Sequence, residues 1–274
     1  MLLFIDALKT HAFLQHALIA GLLVSVACGV IGSYVVVKRI GYLAGGIAHA
    51  VLGGMGVAYF LGADPMNGAL LCAVLVALLI GVVKLYWGQQ EDTAIGALWA
   101  VGMALGVVMI SQTPGYSVDL MSYLFGNILM VPASELWRMG VLDLCILGIV
   151  ALFQKQFLAV AFDEEFARVR GLQVPFFYLL LLVLIALTVV LLIQMVGLIL
   201  VIAMLTLPAA IAGQYVRTLG WMMALASLLG LAFNAAGLAL SYAPGLPAGA
   251  TIILVAGSAY LLSVLIRGLV QRRH

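Results

Sequence analysis

Apolar runs of about twenty residues follow one another along almost the whole chain, and this limits the possible folds more than any other feature. A stretch such as LLLLVLIALTVVLLI (179–193) has no polar period, so it cannot turn one face to a core and another to water. A helix needs roughly 20 mostly apolar residues to cross a bilayer. A transmembrane β-barrel would instead show segments of about ten residues alternating apolar and polar, which these runs do not. Of the 274 residues, 66% are hydrophobic and 8% charged, and mean hydropathy is +1.27, which leaves too little polar surface to coat a water-soluble domain. The expected fold is all-α: a polytopic helical membrane protein forming one transmembrane domain over 1–274.

Breaking the apolar stretches at charges and at Pro or Gly predicts about nine spans, with eight as the alternative count: 12–37, 41–62, 66–86, 92–112, 133–153, 175–193, 196–216, 220–242 and 247–266. The separation of the sixth from the seventh requires a very tight turn near Gln194 to Val196. With alternating spans and a cytoplasmic C-terminus, ten of the 12 basic residues fall inside, leaving Lys9 and Arg138 outside. That bias fits the positive-inside rule and places the N-terminus outside. MLLFIDALKT carries Asp6 and leads into a long span, so no cleavable signal peptide is expected. The net charge of +2 gives no reason to expect a nucleic-acid partner. Cys28, Cys72 and Cys145 lie in apolar segments without paired spacing, and are expected as small core residues rather than ligands or a disulfide.

Two connections stand out. The extracytoplasmic segment 112–132 holds an amphipathic patch, DLMSYLFGN, suited to the membrane surface or to re-entry. The cytoplasmic segment 154–174 reads as a short helix, the alternative being a solvated charged loop. Asp163 or a neighbour caps it, Glu164 and Glu165 stand in its first turn, Arg168 and Arg170 lie near its end, and Gly171 stops it.

In GGIAHAVLGG (45–54), Gly41, Gly45, His49 and Gly53 recur every four residues along one helical face, with Gly46, Ala50 and Gly54 beside them. Small residues at that spacing admit a close neighbouring helix, so the His49 side faces protein or a cavity rather than lipid. His49 stands about 12 Å along its helix from the inner end, near the bilayer midplane. An ionisable group there suggests function, and imidazole is a common transition-metal ligand. The alternative is a histidine that packs against a hydroxyl. Asp143, also deep in its span, could be an oxygen ligand, a proton acceptor or the partner of a buried donor. Arg138 is expected to lie outward with Glu135 and Trp137 at the interface. Asn234, Gln194 and Thr206 read as interhelical hydrogen-bond glue, and Met195 and Met204 as packing. The chain has no Gly-Lys pair and hence no P-loop, and neither H-E-x-x-H nor G-x-S-x-G. Enzymatic chemistry has no support, and a charged inner helix without a nucleotide site suits a permease driven by a separate ATPase.

Several stretches, in order, resemble the membrane subunit of the ABC transporters that import zinc, manganese and iron: QEDTAIGALWAVGMALGVVMIS (90–111), DLMSYLFGNIL (119–129), DEEFARVRGL (163–172) and ALTVVLLIQMVGLILVIAMLTLPAAIA (186–212). The resemblance covers nearly the whole chain. It implies a homodimer in the bacterial cytoplasmic membrane, cytoplasmic ATP-binding cassette subunits, an extracytoplasmic metal-binding protein, and no cofactor besides the transported ion. It also implies that the inner helix couples to the ATPase through Asp163, Glu164, Glu165, Ala167, Arg168 and Gly171. The family's second span reads like G-D-x-x-x-H. His49 matches the histidine, but Gly45 stands at the acid, so the expected metal residues are His49 and, from another span, Asp143. Zinc is the foremost cargo expected. The competing expectations are a proton-coupled secondary carrier and an ABC permease for a chelate such as a siderophore or cobalamin.

Overall fold

The computed structural model describes residues 8, 10–87, 91–113, 126, 128–242 and 244–271, with backbone alone at 91, 194–196, 198–200, 270 and 271. Among these there is no strand. The long helices are α1 (Ala12–Lys38), α2 (Gly41–Phe60), α3 (Pro65–Trp87), α4 (Glu91–Ser111) and α5 (Ala133–Leu152). Two short ones follow, α6 (Gln154–Phe162) and α7 (Glu164–Val169), and then α8 (Val174–Val196), α9 (Leu198–Tyr215), α10 (Leu219–Tyr242) and α11 (Ala248–Gln271). Each expected span coincides with one of the nine long helices. Seven of them are long and apolar enough to cross a bilayer alone, and α5 with α6 makes an eighth if that bent pair is one span. The molecule is therefore a polytopic helical membrane protein. Helix α9 is the short one, its apolar described part running Val201–Tyr215 with Pro208 inside.

The chain divides into two compact units: Val37–Leu120 with Leu144–Ile193, and Met1–Val36 with Met121–Asp143 and Gln194–His274. In the first, α2 packs on α3 and α4, and its small residues let both neighbours come close. A Cβ on Gly53 would stand 2.7 Å from the Gly102 carbonyl oxygen of α4, and one on Gly56 equally close to that of Gly106, whereas Gly54 meets Gly68 of α3. The α2–α3 connection is specified locally. Gly62 N–H bonds the Tyr59 carbonyl and Ala63 N–H that of Ala58, the paired bonds of a Schellman end. Asp64 Oδ1 then accepts from Met66 N at 2.9 Å, and Pro65 opens α3, where a missing N–H costs nothing. The α5–α6 pair bends by 73° at Phe153, whose ring, with that of Phe157, packs edge-on to Phe177 of α8 at 5.6 and 6.1 Å.

In the second unit, α9, α10 and α11 pack together around Ile211, Phe233 and Ala256, and Ser263 of α11 bonds both Tyr215 and Gln214 at the end of α9. Asn234 of α10 donates to Ser25 Oγ (2.9 Å) and the Gly21 carbonyl of α1, which makes it the interhelical glue expected. Thr206 departs from that expectation, because its hydroxyl bonds the Ile202 carbonyl of its own helix. Met204 is buried packing. The side chains of Gln194 and Met195 lie outside the described residues, but the tight turn itself is visible. It falls at Gly197 (φ 75°, ψ 171°), a backbone region open essentially to glycine alone. Cys28 is buried as expected, Cys72 is half-buried, and Cys145 is exposed rather than in the core.

Candidate functional site

His49 lies midway along α2, and its face is turned to α4. Its imidazole stacks on the Trp99 indole with ring centroids 4.1 Å apart and planes 20° from parallel. Nδ1 lies 2.9 Å from the Gly45 carbonyl oxygen, one turn back. A carbonyl can only accept, so the contact makes Nδ1 the donor, and in the neutral ring the lone pair stands on Nε2. Among the described residues nothing hydrogen-bonds Nε2. An imidazole held this way, with one nitrogen anchored and the other presented, is prepared as a single nitrogen donor. No group of three or more His, Cys, Asp or Glu side chains converges to form a closed metal cage among the described residues.

Asp143 belongs to the other unit. It is 4% exposed, and its Oδ1 has no hydrogen-bond partner among the described residues. Arg138 pairs with Glu135 at 3.3 Å, and Trp137 beside it is exposed.

The inner segment folds as the capping pattern predicts. Asp163 is extended (φ −151°, ψ 100°) and ends α6. Its Oδ1 accepts from Phe166 N at 2.8 Å, which starts α7. Glu164 and Glu165 occupy the first turn and Arg168 the last, each complementing the helix dipole. At the other end Gly171 N–H bonds the Arg168 carbonyl and Leu172 N–H that of Ala167. Gly171 has φ 77°, the left-handed geometry that such an end requires. Ala167 is fully buried, while Phe162, Phe166 and Val169 are exposed, an apolar surface fringed by charge.

Two contacts here have no counterpart in sequence reasoning. Lys38 ends α1 with its side chain only 6% exposed and its Nζ 2.7 Å from Glu164 Oε1. The same ammonium donates to the Val160 carbonyl of α6 at 2.8 Å and stands 5.4 Å from the Tyr178 ring centroid. Lys84 approaches that ring at 5.0 Å. Trp99 is the other contact. Its one sequence signal is that it is the sole tryptophan among the small residues of EDTAIGALWAVGMALG. DLMSYLFGN, apart from Gly126, lies outside the described residues.

Residues 10–267 match the family model described as "ABC 3 transport family". An uncharacterized membrane protein of Synechocystis sp. is 51% identical, covering 94% of this chain and 92% of its own length. A manganese transport system membrane protein of Halalkalibacterium halodurans is 38% identical, covering 95% and 89%. Among solved structures, PsaBC from Streptococcus pneumoniae in complex with Fab superimposes with TM-score 0.86 and 36% identity, covering 95% of this chain and 94% of that one.

Proposed function

The chain belongs to the ABC 3 transport family, and from that premise we propose that it is the permease subunit of an ABC importer for a divalent transition-metal ion. Zinc is the foremost cargo, with manganese and iron as the other candidates. In this reading two copies form the pathway, separate cytoplasmic ATPase subunits supply the energy, and an extracytoplasmic binding protein delivers the ion. All nine long helices cross the bilayer, with the N-terminus outside and the C-terminus cytoplasmic. The alternating-access cycle passes the metal along His49, while Asp143 serves its own unit as an oxygen donor or proton acceptor. Helix α7 seats on the ATPase, with Asp163 and Gly171 fixing its ends and Ala167 packing it down.

The observation that carries this reading is His49 at mid-span, Nδ1 anchored and Nε2 presented. A transport site must bind weakly enough to release its ion, so a sparse donor set is suitable. The relative from Halalkalibacterium is named for manganese. Gly45, however, removes the carboxylate that manganese favours, and an imidazole donor suits zinc better.

The test is uptake of zinc, manganese and iron by membranes holding the permease with its ATPase and binding protein, comparing wild type with His49→Ala and Asp143→Asn at matched levels. Zinc uptake should exceed that of the other two and fall at least about tenfold in His49→Ala. Uptake unchanged by His49→Ala would make the residue a packing histidine. Stimulation by a chelate in place of free metal would move the chain to the chelate class.

A further inference from the structure

Where the resemblance places an acid, His49 has an aromatic neighbour, and the inference drawn from that contact rests on the import reading above. His49 has no side chain one turn back, because that position is Gly45. What it has instead is an indole.

Trp99 lies on α4 and its ring covers one face of the imidazole at 4.1 Å. The indole is itself held: its Nε1–H donates to Met103 Sδ at 3.1 Å, one turn along α4, and Tyr42 stands tilted against it at 6.1 Å. The α2–α4 contact is fixed on either side of this stack by Gly46 against Ile95 and Gly53 against Gly102. The two helices are thereby held close on both sides of the stacked rings. The Gly45 carbonyl anchors Nδ1 of His49, and Trp99 packs on its ring.

From this geometry we infer that Trp99 is a positioning residue of the transport pathway: its indole face holds the His49 ring so that Nε2 meets the passing metal ion, and it steadies the ring while it is metal-bound. The physical reason is twofold. A ring clamped on one face loses less freedom when it takes the metal, so less affinity is forfeited to ordering. An imidazole bound to a divalent cation becomes electron-poor, and an electron-rich indole face within about 6 Å favours that state. Neither effect needs a second anionic ligand, so the site can hold its ion without the acid and still release it.

The test uses the complete transporter, permease with ATPase and binding protein, reconstituted in lipid. Trp99→Phe keeps an aromatic face, whereas Trp99→Leu keeps only bulk. Zinc uptake should fall about tenfold in Trp99→Leu, the usual loss when the residue supporting a metal ligand is removed, and should largely return in Trp99→Phe. ATPase assembly should be intact in both. A second readout uses Co2+ alone, which quenches a nearby indole. Quenching of wild-type emission should exceed that of Trp99→Phe, and the excess should vanish in His49→Ala, where Trp99 is still present.

Wild-type uptake in Trp99→Leu would overturn the inference, as would a Trp99→Phe defect equal to that of Leu, or Co2+ quenching that is the same with and without Trp99. Should Trp99→Leu fail to assemble, the Phe variant and the quenching decide the matter. Quenching that depends on His49 in a transporter that moves no free metal would sink the import reading and leave the positioning role standing. Uptake that depends on His49 but not on Trp99 would do the reverse.

Discussion

At the scale of single residues, Lys38 and Glu164 make the sharpest case, because their environments are unequal. The lysine is 6% exposed and the glutamate 44%. Glu164→Leu would leave a buried ammonium with the Val160 carbonyl and the Tyr178 ring as its described neighbours, which is costly. Lys38→Met would keep most of the apolar stem and leave the carboxylate to reach water. Thermal unfolding in detergent should therefore show Glu164→Leu less stable than Lys38→Met by about 1–3 kcal/mol. The reverse order would mean that the pair contributes little and that the lysine stem carries the packing. Nothing in the sequence connects residues 38 and 164. Two helix ends far apart in the chain meet only through folding, so this contact was illegible from spacing, as was the stacking of Trp99 on His49. The cap at Asp163 was legible, because it acts within three residues.

At the scale of helices, legibility followed the range of the interaction. Apolarity marked the long helices among the described residues, since the apolar length of a helix is a property of its own residues. The 73° bend between α5 and α6 was hidden, because it is held by Phe177, some twenty residues further along the chain. The glycine rows of α2 were visible as a pattern, but which glycine meets α3 and which meets α4 was not. This pairing yields a prediction. Valine at position 53 would drive a Cβ against the Gly102 backbone, whereas at Gly148 of α5 nothing lies within 4 Å. Gly53→Val should lower stability by about 1–3 kcal/mol and part α2 from α4, while Gly148→Val should be close to neutral. Cysteine pairs placed across α2 and α4 would report the separation through their cross-linking yield. Equal yields in the two valine variants would refute close backbone packing as the reason for the glycine.

For the whole molecule, the consequential feature is the surface that α7 offers. Phe162, Phe166 and Val169 are exposed, and the Arg170 guanidinium stands 4.9 Å from the Phe166 ring. A six-residue helix has little stability of its own, so it must be held from both ends and from beneath. Asp163 and Gly171 supply the ends, the buried Ala167 the underside, and Lys38 a tie from α1. A short helix held rigid while its apolar residues face outward is suited to transmitting displacement to whatever covers it. If the cover is the ATPase, Phe166→Asp should abolish its co-purification without lowering the unfolding temperature of the permease, because the side chain removed is already exposed. Asp163→Ala should act differently: it loosens the first turn by about 1 kcal/mol, leaves the apolar surface in place, and so should preserve assembly while reducing metal moved per ATP hydrolysed. The two variants thus separate docking from transmission. An ATPase that still binds Phe166→Asp at full strength would place the contact on another surface of the permease.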